Sequence, residues 1–586
     1  MYAFYKKYEY LIVALLVAVP YIYAAPFWDG NYRDTDCYIH AWRTYDLMLN
    51  KNWAEEILMK SNYPFGEVIH YTRLMDVMWL LLALPLTLFY SLKDAVFNAG
   101  LIFQPLIAIM SACAIVWTFR PCFNPFLRLF AVVLFFCQPI TAQLYVFSRP
   151  DHHTIVVFFT FMLMGCFLRY IKNPDIKYMK YAGVFSGMML WTSVEGLLVA
   201  YAILTPMLVL WILEKRYLKE AKIFILYFLS SSAAFLLINP PYEGLFHPDN
   251  GRISILMLTI IGFTYLSILA AERLEQKEVL TNWFKRGLSI GVPALFGIGV
   301  VLLIFGYNTV FGNPFTPEIK AWYSSVAELT PAGNNPVLFK TFALPSTLAV
   351  IVVILFFTPK QKDFLFFSGF PLFFFTTLVY VSIRFSQHSS VFIIFPILAC
   401  IDALLTRFCK RYPPTQNTIY TNLTCFLFVC AAFVLLMYTG KETLKGMANA
   451  FAYNTHDYIP YISKKPGSIL TRIFDGSEII WTMERPVIST PNHRNIDGIV
   501  DTYNTFFNND MGEVKKLLQK RQVSTIMIPP NVMNLNPLYP PRNDDFAVRL
   551  INGRALPCGI TLASDLPVKM QSLYVLYHVD FDNCPP

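Results

Sequence analysis

Long apolar runs recur along most of this chain, and short basic stretches separate them. A run of roughly 17–25 apolar residues is enough for a helix to cross the hydrocarbon of a bilayer. Inside lipid the backbone must satisfy its own hydrogen bonds, so runs of this length are read as helices. They lie at residues 95–119, 127–146, 154–171, 223–239, 254–272, 288–307, 341–357, 365–383, 389–405 and 422–440. The stretch 181–213 is too long for one crossing and is interrupted at Ser193-Val194-Glu195-Gly196, which makes it a tight helical hairpin with Glu195 near its tip. With a first run at 11–25, the sequence describes an α-helical polytopic membrane protein of about 13 transmembrane helices. Composition agrees, since 56% of the 586 residues are hydrophobic and 15% charged, against roughly 45–50% and 25% in soluble domains.

Lys6 and Lys7 before the first run also suit a cleaved signal peptide. A retained helix is preferred because the chain goes on crossing, and either reading places loop 27–76 outside the cytoplasm. The net charge of +9 resides in short basic runs between apolar segments. That is the pattern of cytoplasmic loops, not of a nucleic-acid-binding face, so no nucleic-acid partner is expected. The apolar run 77–90 is short and contains Pro85. Omitting it as a span puts Arg120, Arg128 and the basic stretches 169–180, 215–222, 273–286, 360–362 and 407–411 on one side, as the positive-inside rule requires. It is therefore read as an interfacial or re-entrant helix.

With that parity, the opposite face receives loop 27–76, the turn 147–153, loop 308–340 and everything after Gly440. The expected organisation is a transmembrane domain over 1–440 and an extracytoplasmic α/β domain over 441–586. In the latter, 487–489, 524–528 and 573–577 read as short buried strands and 512–521 as a helix. Most cysteines lie within apolar runs, where thiols act as small hydrophobes. Cys558 and Cys584 lie in the exported polar part, where oxidation is possible, and are expected to pair. Short cytoplasmic loops in one compact chain point to a bacterial inner membrane, with the active site facing the periplasm.

The unusual polar motifs all fall on the exported face. The first is NYRDTDCYIHAW, 31–42, which brings Arg33, Asp34, Asp36 and His40 to the end of the first run, with Arg43 just beyond. An Asp-x-Asp pair can hold a hard divalent ion through oxygen, and such an ion can steady a phosphate leaving group. The second is SRPDHH, 148–153, where Asp151, His152 and His153 offer metal ligands or phosphate contacts, while Asp151 equally suits a helix cap. The third is YSSVAE, 323–328, ending in Glu328. The fourth is Arg384-Phe385, whose arginine either snorkels to the interface or clamps a phosphate.

Taken in order, these motifs resemble the catalytic subunit of oligosaccharyltransferase, a GT-C membrane glycosyltransferase, over nearly the full length. Asp36-Cys37-Tyr38 matches that family's catalytic aspartate and the aromatic-containing run after it, and Tyr63-Pro64-Phe65-Gly66 its Tyr-Pro-aromatic-Gly turn. Asp151-His152-His153 lies where the family has an Asp-x-Asp or Asp-x-Glu. Ser325-Val326-Ala327-Glu328 and Arg384-Phe385 match its later motifs. The resemblance implies transfer of a glycan from a polyprenyl-phosphate or -pyrophosphate donor to a protein, lipid or polysaccharide acceptor. It implies catalytic roles for Asp36 and Glu328, phosphate binding by Arg384 and His152, and a divalent cation, Mg or Mn, on Asp36, Asp151 and His153. Helix 77–90 and loop 308–340 would close over the substrates.

Two departures stand out. His153 replaces the second carboxylate, and Ile473-Phe474-Asp475-Gly476 stands where the family has W-W-D-Y-G to read the acceptor. Asp475 and Gly476 remain acceptor-side candidates, joined by His493 and Arg494, whose surrounding Asn492–Asn495 stretch also suits a structural turn. One rival is a GT-C transferase moving a single sugar from a polyprenyl phosphate to lipid or polysaccharide. Another is a transporter or flippase. Such proteins place ionisable groups at the membrane midplane and show internal repeats. Here the motifs sit at span ends and no repeat is evident.

Overall fold

The computed structural model describes residues 2–28, 30–54, 57–312, 315–355, 362–411, 455–531, 535, 541–554, 556–582 and 584. Among the described residues nine helices are long and apolar enough to cross a membrane, which makes the chain an integral multi-pass membrane protein. The expected span 422–440 lies outside the described residues. The first elements in chain order are α1 (Tyr2–Ala24), α2 (Thr35–Asn50), α3 (Arg73–Leu86), α4 (Leu92–Phe119), α5 (Pro125–Phe136), α6 (Pro139–Leu144), α7 (His152–Lys172), α8 (Lys177–Thr192) and α9 (Glu195–Glu214).

Three sequence expectations meet their physical test here. The run 127–146 is broken into α5 and α6, because Pro139 drives Gln138 to extended backbone (φ −69°, ψ 140°). The run 181–213 is a hairpin, with Ser193 extended between α8 and α9. Its tip needs glycine, since a Cβ on Gly196 would come within 2.6 Å of Met189 and Leu190 backbone. The run 77–90 contributes to α3, a helix of 14 residues. At ~1.5 Å per residue that reaches about 21 Å, short of the ~30 Å hydrocarbon. Its buried face carries Arg73, Met75, Asp76, Trp79 and Ala83. Asp76, fully buried, takes Arg43 Nη2 at 2.8 Å and Arg73 Nη1 at 3.0 Å, which fastens α3 to α2.

The C-terminal unit is α/β. Strands β3 (Ser468–Leu470), β4 (Val523–Ile528), β5 (Ile560–Leu562) and β6 (Val575–Val579) come after β1 (Ile57–Leu58) and β2 (Glu67–Val68), a small hairpin in the first long loop. The sheet order is β3-β4-β6-β5, with β3 parallel to β4 and the other pairs antiparallel. The expected strands at 524–528 and 573–577 correspond to β4 and β6, and the expected helix to Met511–Lys520. Segment 487–489 is not a strand. Val487 makes one bridge to Ile469. Its N–H goes instead to Lys60 O at 2.8 Å, and its carbonyl accepts from Tyr63 N at 3.2 Å. Backbone that would have extended the sheet binds the first long loop. Cys558 and Cys584 are disulfide-bonded, as expected. Thiol labelling of the unreduced, unfolded protein should leave both unmodified, and free thiols at either position would contradict the bond.

A buried polar knot seals the same junction. Ser61 Oγ and Thr490 Oγ1 donate to Glu67, and Asn495 Nδ2 donates to Ser61 Oγ at 2.9 Å. Burial pushes the Glu67 carboxyl up from 4.5 to about 7. The folded state then holds a proton that the unfolded state releases near pH 4.5. Stability from this group is full below that pH and is lost as pH rises to about 7. The loss is on the order of 3 kcal/mol. Thermal melts between pH 5 and pH 8 should show Glu67→Gln losing less stability than the parent over that range. Parallel pH curves for the two proteins would refute this.

Candidate active site

Helix starts build the site. Asp34 is the N-cap of α2, accepting from Asp36 N at 3.3 Å, which places Asp36 in the first turn. Asp151 is the N-cap of α7, accepting from His153 N at 2.9 Å, which places His152 and His153 at the helix start. Glu195 opens α9. Asp and Ser at such positions satisfy orphan backbone N–H groups, so these starts are locally encoded.

Contacts then draw the starts together. Arg149 gives Asp34 Oδ2 two hydrogen bonds, at 3.0 and 2.7 Å, and lies 3.5 Å from Asp151 Oδ2. Arg33 N donates to Ser148 O at 3.1 Å. Arg384 meets two of the other motifs and the hairpin tip at once. Its Nε pairs with Glu195, its Nη1 is 3.5 Å from Glu328 Oε1, and its Nη2 is 3.3 Å from His153 Nε2. Backbone near Glu328 is held to the arginine's turn by Ser382 Oγ, which donates to Glu328 O at 2.9 Å, and by Ile383 N, which donates to Thr330 O at 3.0 Å. Glu195 also accepts from Gln387 Nε2 at 2.6 Å and faces His388 Nε2 at 2.9 Å.

Five carboxylates (Asp34, Asp36, Asp151, Glu195 and Glu328) thus share the site with two guanidiniums, Arg149 and Arg384. The negative excess bears on the protonation of its own members. Burial pushes Asp36 well above the usual carboxylate range, and the facing Asp34, Asp151 and Glu328 push it further, while a hydrogen bond from Tyr71 opposes them. Glu328 is raised as well, chiefly by burial. Asp151 is held far below the usual range, because the His153, Arg149 and His152 side chains and the His153 N–H outweigh its burial.

An aromatic and imidazole wall closes one side. His152 and His153 lie tilted to each other at 4.2 Å, and His40 lies 5.5 Å from His152, measured between ring centroids. Tyr71 sits 4.5 Å from His40 and 4.1 Å from His70, and His70 meets His493 at 4.2 Å. Burial pushes His40 and His70 well below their usual range and His493 down to about 4, so their rings are neutral near pH 7. Arg494 pairs with Asp249 behind His493.

The molecule therefore brings Asp36, Asp151, His152, His153, Glu328 and Arg384 into one place and joins His493 to it through His70. Asp475 is directed elsewhere, its carboxylate accepting from Arg472 at 2.7 and 2.6 Å and from the Tyr574 hydroxyl. Gly476 begins a helix where a Cβ would meet Ser489 O at 2.0 Å. Among the described residues, neither of these contacts reaches the carboxylate cluster. Sequence reasoning missed Glu195 and Arg149. An acid inside an apolar hairpin is a functional signal in itself, and that signal was available for Glu195.

The architecture has solved counterparts. The archaeal oligosaccharyltransferase AglB from Archaeoglobus fulgidus, in complex with an inhibitory peptide and a dolichol-phosphate, superposes with a TM-score of 0.69 at 13% identity, over 90% of this chain and 70% of that one. The chain has the fold of an oligosaccharyltransferase. The Archaeoglobus enzyme tethered to an acceptor peptide containing the NVT sequon gives 0.66 at 14% identity, over 90% and 70% of the two chains. Its complex with Zn and sulfate gives 0.59 at 13%, over 89% and 68%. No protein-family model and no curated protein matches the sequence. The likeness is one of fold, over 90% of this chain. At this identity it says nothing of individual side chains.

As a metal site the residues fit. Ligand atoms of Asp151, His152 and His153 lie within 4.8 Å of one another, and the carboxylate excess around them favours a cation. Asp36 falls outside that trio.

Proposed function

We propose that this chain is a GT-C membrane glycosyltransferase, oligosaccharyltransferase-like, that moves a glycan from a polyprenyl-phosphate or -pyrophosphate donor to an acceptor on the extracytoplasmic face. The observation that carries it is the convergence of Asp36, Asp151, Glu328 and Arg384, from four separate stretches of sequence, in a fold shared with AglB, whose solved complex holds dolichol-phosphate and a peptide. In the transfer the bond between the sugar's anomeric carbon and the phosphate oxygen breaks. A bond from that carbon to the acceptor heteroatom forms, and the acceptor's proton leaves. Arg384 neutralises the departing phosphate as negative charge develops on it. Asp36 and Glu328 face the acceptor, and Asp36 accepts its proton. A divalent cation bound here would supply further charge neutralisation.

The acceptor side departs from a sequon reader. Stretch 473–476 lacks both tryptophans, and the Asp475 carboxylate is held by Arg472 and Tyr574. This favours, as a second reading, transfer of a single sugar to lipid or polysaccharide. Mass spectrometry of glycoproteins, glycolipids and polysaccharides from cells with and without this protein separates the two. An unchanged glycan inventory would sink both.

Orientation is set by loop charge. A reporter fused after Lys172 should read cytoplasmic, and one after Gly440 extracytoplasmic. The reverse pattern, extracytoplasmic after Lys172 and cytoplasmic after Gly440, would overturn the exclusion of 77–90 as a span.

A further inference from the structure

Helix α7 leaves the carboxylate cluster at His152 and ends 21 residues on at Lys172, and α9 leaves it at Glu195 and ends at Glu214. At ~1.5 Å per residue each travels about 30 Å, the thickness of the hydrocarbon. Beyond α9 come α10 (Leu218–Ile238), α11 (Ile255–Gln276) and α12 (Trp283–Phe305). The far ends of α7 and α9, the start of α10 and the end of α11 border a cavity of about 510 Å³. Small-molecule sites are commonly of this size, roughly 300–1,000 Å³. On its rim Lys215 (φ 58°) and Tyr217 (φ 76°) hold left-handed backbone, which is costly for residues with a Cβ and clusters at ligand sites.

The charges that line the cavity are unevenly matched. Arg216 is committed to Asp363 at 2.8 and 2.7 Å and to Glu214 at 2.7 Å, and Lys222 to both oxygens of Glu272 at 2.6 and 2.7 Å. Glu220 accepts only from the Tyr170 hydroxyl, and Glu275 from Trp211 Nε1 at 2.8 Å. A hydroxyl or an indole N–H bonds a carboxylate without cancelling its charge. Among the described residues, the ammonium groups of Lys215 and Lys219 pair with no carboxylate. Two positive and two negative charges therefore face one cavity uncompensated.

The cavity lies at the depth of a membrane surface. Arg286 Nε donates to Ile212 O at 2.6 Å, which sets the start of α12 level with the end of α9. There Trp283 and Phe284 are 61% and 57% exposed, as aromatic side chains are where lipid meets water. Leu213 and Leu274, close in sequence to Lys215 and Glu275, are also exposed and give acyl chains a surface. Pockets between membrane helices with basic linings are known to take phospholipid headgroups. An anionic headgroup would meet the two lysines but be repelled by Glu220 and Glu275. A choline headgroup carries both charges, but its quaternary nitrogen has no N–H to donate.

We propose that this cavity binds the headgroup of a phospholipid that carries both a phosphate and a primary ammonium, phosphatidylethanolamine, with the phosphate on Lys215 and Lys219 and the ammonium on Glu220 and Glu275. Nothing in this site depends on the transferase reading. The loop-charge orientation would put the lipid in the cytoplasmic leaflet.

The test is native mass spectrometry of the full-length protein, delipidated in detergent and titrated with ethanolamine, glycerol or choline phospholipids of identical acyl chains. One ethanolamine lipid per chain should bind at least tenfold more tightly than either of the others. Lys215→Gln with Lys219→Gln should weaken that binding by tenfold or more. Glu275→Gln should narrow the gap between the ethanolamine and glycerol lipids, because it removes a charge that repels the anion. Equal or tighter binding of the glycerol or choline lipid, no stoichiometric binding, or affinities unmoved in both variants would overturn the proposal. So would displacement of the lipid by an equal concentration of soluble glycerophosphoethanolamine, which would mark a site for a water-soluble phosphate ester. The parent protein's ranking of the three lipids decides the matter even if a variant fails to fold.

Discussion

Asp36→Asn is expected to abolish transfer while the protein accumulates and folds normally. The side chain is only half-buried, and its hydrogen-bond partner Tyr71 can donate equally well to an amide oxygen, so packing changes little. What disappears is one negative charge facing Asp34, Asp151 and Glu328. Easing that repulsion should, if anything, favour folding. Its loss should cost the reaction the proton acceptor and an oxygen for any bound cation. Removing one electrostatic contact to a transition state costs roughly 3–4 kcal/mol, a drop in rate on the order of a hundredfold to a thousandfold. Asp34→Asn is the informative control. Asparagine caps a helix as well as aspartate, and Asp34 has Arg149, not substrate, as its partner, so the loss should be smaller. Because Asp36 is raised well above the usual carboxylate range, the acid limb of the pH profile should also lie above that range. Unchanged product from Asp36→Asn, or failure of that variant to accumulate, would remove the catalytic assignment.

Arg384→Ala should combine two large effects, on transfer and on stability. It removes the guanidinium proposed to meet the donor phosphate, and it strips Glu195 of its strongest partner in a buried setting. Breaking one half of a buried ion pair costs roughly 3–5 kcal/mol, because the remaining charge stays buried and uncompensated. A double variant, Arg384→Gln with Glu195→Gln, removes both charges and should recover most of the stability while transfer stays absent. Glu195→Gln alone should weaken donor binding and leave acceptor affinity unchanged, since the arginine keeps its charge but loses the carboxylate that aims it. Measuring melting temperature and donor and acceptor KM across this cycle separates the two effects. Additive stability losses would show that the pair does not interact, and full transfer by Arg384→Ala would exclude a phosphate contact.

The helices were legible because lipid imposes a length and an apolar composition that a sequence displays openly. Asp34 and Asp151 were legible as chemistry, and Asp151 as a helix cap, because a polar cluster beside an apolar run is unusual. What could not be read was pairing at a distance. Nothing local tells Val487 to exchange hydrogen bonds with Lys60 and Tyr63 instead of extending a strand, or tells His493 to meet His70. Arg149 sat inside a recognised motif but was passed over in favour of its neighbours, since its value comes from Asp34 in another segment. Glu195 was noticed as a hairpin tip and not as a buried counter-charge.

The junction between first loop and C-terminal unit also sets an order in time. Lys60 Nζ donates to Glu484 O across a separation of 424 residues. At a synthesis rate of roughly 5–20 residues per second, the first loop waits on the order of 20–85 seconds before its partner emerges. During that interval β1, β2 and the Glu67 knot have no surface to close against, and Ser61 and Glu67 stand open to water and to proteases. A ribosome stalled late in translation should therefore leave loop 27–76 cleavable by added protease, and release of the full chain should protect it.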